Sequence, residues 1–190
     1  HRGPIVATLH GCGKPPPFML RIRTALARHW AQKRLGVVFV AVSSDVQAVE
    51  KRNFGIVCRC INNWTTPDLF PPPDPETRAA RRRDLGIPDD RPVVVTVANC
   101  APVKRHPLIL DALGRLKARR PEFLFLHAGR ERHDGERRQA AALGLEPQVR
   151  FLGRVQDVAG LLQAADLMIM ASSTEGLSLA CLEALSAGLP

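Results

Sequence analysis

The sequence predicts an α/β protein built on parallel sheets, in two portions joined by a proline-rich segment. Three observations carry that expectation. Short apolar runs alternate with stretches of helical apolar spacing, the pattern of buried parallel strands and their crossover helices. Between residues 65 and 92 the composition turns abruptly to proline and charge, with Pro67, Pro71, Pro72, Pro73, Pro75, Pro88 and Pro92. Several apolar runs end in glycine or small polar residues, as they do where a parallel sheet gathers its ligand-binding loops.

Taken in order, Pro4 to Leu9 reads as a buried strand that ends at His10-Gly11-Cys12-Gly13. Pro15 to Pro17 precede the helical spacing Phe18, Ile22, Ala25, Leu26 and His29, as expected when proline occupies a helix start. Val37 to Val42 is a second strand, Ser43-Ser44-Asp45 caps a helix through Val49, and Ile56 to Ile61 is a third strand. The segment 65–92 reads as an interdomain linker with one short helix from Glu76 to Leu85. Strands then follow at Val93 to Val97, Phe123 to His127, Val149 to Leu152 and Leu167 to Met170. Helical spacings separate them, clearest at Ile109, Ala112, Leu113 and Leu116, with others from Asp134 to Leu143 and from Asp157 to Ala164.

Composition narrows the classes. The chain has 190 residues, 45% of them hydrophobic, enough for a packed core in one large or two small domains. Its formal charge of +9 is mostly arginine and favours anionic partners without choosing among them. The run Arg81-Arg82-Arg83 reads as a solvated face. With no tyrosine and little aromatic interleaving among the basic residues, stacking platforms for nucleic acid are scarce, so none is expected as a partner. The five cysteines are odd in number and lack Cys-x-x-Cys spacing, which suits reduced thiols in a cytoplasmic protein; Cys58 and Cys60 should face one side of a strand and pack there. No stretch approaches the length of a membrane span.

The chemistry concentrates in Ser172 to Pro190, where an apolar run, a glycine turn at Gly176 and a helical spacing at Leu179, Leu182 and Leu185 follow one another. Strand, turn and helix in that order leave backbone N–H groups near Ser178 and Leu179 free to face an anion. Glu175 on the turn and Glu183 in the helix, seven residues between them, would flank it. Alone, the pair is a helix-start carboxylate and an ordinary exposed helix residue. Together with Thr8-Leu9-His10-Gly11, Ala41-Val42-Ser43, Asn62-Asn63, Asp68-Leu69-Phe70, Lys104, Phe151-Leu152-Gly153 and Ala165-Asp166, it forms an ordered set along nearly the whole chain.

That set resembles the retaining, nucleotide-sugar-dependent glycosyltransferases of the GT-B fold, family 4 type, through its Glu-x7-Glu pattern. The resemblance implies an α/β GT-B protein with parts of two Rossmann-like domains, cut at both ends: residues 1–64 from the acceptor side, 65–92 as linker, and 93–190 from the nucleotide-sugar donor domain. It implies His10 and Glu175 at the reacting sugar, Glu183 on the ribose hydroxyls, and Gly153, Arg154 and Val155 at the base. Lys104 would hold the diphosphate, and Asn99, Arg105, Gly129, Arg130, Gly176, Leu177, Ser178 and Leu179 complete the donor-binding set. Relatives carry Gly-Arg where this chain has Ala98-Asn99, so Arg105 or Arg130 must supply the second cation, or the diphosphate is held less tightly. With no Asp-x-Asp, no metal ligand and no cofactor beyond a UDP- or GDP-sugar substrate are expected.

His29, His106, His127 and His133 read as structural, and Asn62 and Asp68 as turn formers. The acceptor, whether lipid, polysaccharide or small molecule, stays open, and peripheral contact with the cytoplasmic face of a membrane is compatible with the basic surface. Two other classes remain in view: a nucleotide-sugar epimerase of the same fold, which would want further acid and base groups, and a non-enzymatic nucleotide or nucleic-acid binding module. A piece of this size is expected to be marginally stable and inactive alone.

Overall fold

The computed structural model describes residues 3–11, 13, 16–131 and 134–190; Cys12, Pro15 and His133, named above, lie outside them. The chain divides into two compact units, one of residues 1–64 with 174–178, the other of 65–173 with 179–190.

The first unit carries a parallel three-stranded sheet in the order β1-β2-β3. Its elements are β1 (Val6–Leu9), α1 (Phe18–Leu35), β2 (Val38–Ala41), α2 (Ser44–Phe54) and β3 (Arg59–Cys60). Val6 lies beside Val38 and Leu9 beside Ala41, while Val40 meets Arg59. The Ser43 hydroxyl accepts from the Val46 N–H at 3.2 Å, so the cap expected from Ser-Ser-Asp starts α2. Phe39, Ala41, Val46, Ile56 and Cys58 form the core. Arg28 of α1 pairs with the buried carboxylate of Glu50 on α2 and lies over the Phe54 ring at 4.5 Å. Burial raises the pKa of Glu50, and the guanidinium acts against that shift. Two expectations fail here. The first strand is not buried, with Val6 59% exposed at the sheet's edge, and Cys60 is exposed while Cys58 is packed, because only Cys58 reaches the core.

The second unit opens with a 3-10 turn (Pro67–Leu69) and α3 (Pro75–Asp84). It continues through β4 (Val93–Val97), α4 (His106–Lys117), β5 (Leu124–Ala128), α5 (Gly135–Ala142), β6 (Val149–Gly153), α6 (Val158–Ala164), β7 (Leu167–Met168) and α7 (Leu179–Ser186). Its four strands are parallel in the order β6-β5-β4-β7. Alternate residues feed two cores: Val93, Val95, Leu124 and Leu126 pack in one, Val94, Phe123 and Phe125 in the other. The strand order reverses at β4, so its junction with β7 is the switch point at which such sheets leave a crevice.

The arginine run is not a solvated face. Arg82 is 2% exposed and donates to the Ala164 carbonyl at 3.1 Å, to Pro88 O at 2.9 Å and to Arg91 O. Arg78, one turn earlier, reaches Ala165 O at 2.7 Å and Asp166 Oδ1 at 2.5 Å. These two side chains of α3 thus cap the carbonyl end of α6, where cations are favoured. Asp166 closes the arrangement by accepting from the Val93 N–H at 2.7 Å, which ties α3 to the start of β4.

Candidate functional site

In the second unit the loops beyond the strand ends are bonded to one another. Ala98 N–H donates to Ala128 O at 2.9 Å, Cys100 N–H to Arg130 O at 2.8 Å, and Gly129 N–H to Gly153 O at 2.7 Å. The Asn99 side-chain oxygen accepts from the Arg130 N–H at 2.8 Å. Gly129 permits this closeness. At φ 154° it sits where a Cβ would overlap the Ala98 carbonyl. Across the switch point, Ser173 donates to Val103 O from its N–H at 2.8 Å and from its hydroxyl at 3.3 Å.

A cavity of about 230 Å³ opens between these loops, and Asn99, Gly129, Arg154 and Val155 all line it. At its edge β5 and β6 slip register between His127 and Ala128, with Ala128 opposite Gly153, a bulge that re-aims the chain entering Arg154. Arg154 therefore brings a cation to the cavity beside Asn99. Arg130 is exposed, its main chain taken by the bonds to Asn99 and Cys100. Arg105 lines a separate cavity of about 710 Å³ with Cys100, Leu108, Asp111 and Glu136. Its φ of 53° is the only positive value for a residue other than glycine among the described residues, a left-handed kink between the 3-10 turn Pro102–Lys104 and α4. Lys104 ends that turn. Glu183 lies half-buried on α7, whose first residue is Leu179, and burial alone raises its pKa.

In the first unit, segment 174–178 packs on the loop after β1. A Cβ on Gly176 would overlap the His10 carbonyl oxygen and approach Val46 at 3.1 Å. The Asn63 side chain donates to Leu177 O at 2.8 Å. This brings the stretch that carries Glu175, Gly176, Leu177 and Ser178 to His10. Asn63 was named in the sequence only as part of the ordered set, with no role given, and its role as the anchor of that segment has no local signal: the partners are 114 residues apart.

The sequence profile described as "Glycosyl transferases group 1" matches residues 77–190, more than half of the chain. The chain belongs to that family. It is 33% identical, over 130 residues, to a GDP-mannose-dependent monoacylated alpha-(1-6)-phosphatidylinositol monomannoside mannosyltransferase of Corynebacterium glutamicum, a match covering 64% of this chain and 34% of that protein. A D-inositol 3-phosphate glycosyltransferase of Streptomyces scabiei is 31% identical over 65% of this chain and 30% of its own length. Among solved structures, Anabaena HepE in complex with UDP superimposes with a TM-score of 0.82 at 24% identity, covering 98% of this chain and 52% of that one. WaaG, a glycosyltransferase involved in lipopolysaccharide biosynthesis, gives 0.76 at 23% identity over 91% of this chain and 50% of its own. The chain thus spans about a third of the length of those curated relatives and about half of those structures. Its fold is the α/β fold of the GT-B glycosyltransferases, present in part.

Proposed function

We propose that this protein transfers a sugar from a nucleotide diphosphate sugar to an acceptor, retaining the anomeric configuration and using no divalent metal at the diphosphate. The observation that carries this is the cavity at the carboxyl end of the second sheet, where Asn99, Gly129, Arg154 and Val155 converge in a chain of this family. In this reading Val155 and the Gly153-Arg154 backbone border the base and Glu183 accepts hydrogen bonds from the ribose hydroxyls. Lys104 and Arg154 oppose the charge that grows on the leaving diphosphate, assisted by backbone N–H groups from Gly176 to Leu179. The anomeric carbon loses its bond to the diphosphate oxygen and gains one to the acceptor oxygen on the same face. The acceptor's proton passes to the departing phosphate, with His10 and Glu175 beside the transferred sugar.

Residues 1–64 then belong to the acceptor side, 65–92 to the connection and 93–190 to the donor side. The names of the relatives support a lipid-linked or small polyol acceptor and a UDP- or GDP-linked donor. Among the described residues no helix is long and apolar enough to cross a membrane.

The test is a screen of UDP- and GDP-sugars with the full-length protein. One donor should be hydrolysed slowly to the free sugar and nucleoside diphosphate, at equal rates with and without added magnesium or manganese. The matching nucleoside diphosphate should raise the unfolding midpoint. A protein that no nucleotide protects and that turns over no donor would end this reading.

A further inference from the structure

One buried cluster in the second unit takes no part in the transfer chemistry. Cys100 follows β4, His106 opens α4, and His127 sits near the end of β5; they are 2%, 4% and 1% exposed. The sulfur and a ring nitrogen from each histidine all lie within 4.8 Å of one another. Both ring nitrogens of His106 lack a hydrogen-bond partner. Nδ1 of His127 also lacks one of ordinary geometry, although the Ala98 backbone is near enough to favour its protonated form. Buried polar atoms are normally satisfied, and two histidines left so in one place call for an explanation.

Aromatic packing explains part of it, because the two rings meet edge to face at 4.7 Å. A thiol–imidazole hydrogen bond would explain another part, with Cys100 Sγ 3.6 Å from His127 Nε2. Neither gives His106 a partner. The 3.6 Å separation has a second meaning. With bonds of about 2.3 Å to sulfur and about 2.1 Å to nitrogen, a tetrahedral zinc ion holds its sulfur and nitrogen ligands about 3.6 Å apart.

We infer that Cys100, His106 and His127 form a binding site for a zinc-class transition metal ion, with Glu136, whose carboxylate hydrogen-bonds with Cys100, as a further donor. Two imidazoles and a thiolate are borderline to soft ligands, which selects this class over calcium or magnesium. Without metal, burial pushes the Cys100 thiol up to about 12 and His106 down to about 4, so the pocket holds neutral ligands that a divalent ion would bind by displacing the thiol proton. The carboxylates of Glu131 and Glu136 act on the cluster with favourable charge for a cation, against Lys104 and Arg137. Cys100 and Glu136 both line the 710 Å³ cavity, which gives the ion a way in. Bound there, the metal would fasten the loop after β4 to α4 and β5, and so hold the turn that ends in Lys104. The inference rests on no part of the transfer reading.

The full chain, untagged and stripped of metal, is titrated with Co(II) and followed by absorption. Equimolar binding with a thiolate-to-cobalt charge-transfer band and tetrahedral intensities, displaced by Zn(II), is the expected result. Zn(II) at 100 times its dissociation constant should also raise the unfolding midpoint. Cys100→Ser should lose the band, and single Ser substitutions of Cys58, Cys60 and Cys181 should keep it. Absence of the band in the unsubstituted chain, or its persistence in Cys100→Ser, overturns the site; the first of these needs no variant to fold.

Discussion

The two sheets are made of the same kind of strand and are buried very differently. In the second unit every residue of β5 is buried, with Leu124, Phe125 and Leu126 at 0%, 2% and 1% exposure, because cores form on both faces. In the first unit one cluster serves the whole sheet, β1 alternates between exposed and half-buried, and α1 buries no residue. Phe18, Met19, Leu26 and Trp30 on that helix are 65%, 68%, 66% and 58% exposed. Stability follows buried apolar area, so it should be concentrated in the unit that carries the cavity lined by Asn99, Gly129 and Arg154. A rigid sheet under the loops from Ala98 to Val155 suits a site that must present fixed dipoles and charges.

Six substitutions, in four tests, probe that contrast, the largest effect first. Leu126→Ala should cost about 2–5 kcal/mol, whereas Val6→Ala on the open strand should stay within about 0.5 kcal/mol. Denaturant midpoints of the two variants measure this, and equal costs would erase the distinction. Arg82→Met should cost about 2–4 kcal/mol, since it leaves the Ala164 and Pro88 carbonyls without their buried donor, while the exposed neighbour Arg83→Ala should change little. Thermal unfolding of the pair distinguishes a capping arginine from a solvated one.

Gly129→Ala should cost about 1–3 kcal/mol by forcing the β4 and β5 loops apart. Nucleoside diphosphate affinity, read by calorimetry, should fall about tenfold or more with it if the cavity holds the donor. Glu183→Gln is the smallest and runs the other way. A carboxyl whose folded pKa is raised gains stability only below its unfolded value and loses it as pH rises through the folded one, so at pH 7 the charged form opposes folding. The Gln variant should therefore unfold at a slightly higher temperature at pH 7, with the difference shrinking toward pH 4. Under the proposed ribose contact it should also bind nucleotide more weakly. A variant that loses stability and keeps affinity contradicts both statements.

The second sheet was legible in the letters because its strands are continuous apolar runs: Val93 to Val97 was expected and is β4 residue for residue. Shorter pairing was not legible. Ile56 to Ile61 and Leu167 to Met170 read as strands of six and four residues, and only Arg59–Cys60 and Leu167–Met168 pair. How far a strand pairs is set by its neighbour, and β2 has ended at Ala41 beside Cys60. Among the site residues, Gly129 was expected only as a donor contact, and its packing on the Ala98 carbonyl has no signature in the sequence. Arg154 was expected to be a donor contact, and that it lines one cavity with Asn99 and Gly129 is a fact of the folded chain.

By itself, then, the sequence determined the α/β alternation, the strands buried on both faces and the order of the loops that end them, because hydrophobic period and glycine turns are local properties. Tertiary structure alone decided that Arg78 and Arg82 cap α6, that Asn63 holds the segment at Leu177, and that Cys100, His106 and His127 share one dry pocket. Each of those depends on desolvation and on partners far apart in the chain, and neither is written in the spacing of neighbouring residues.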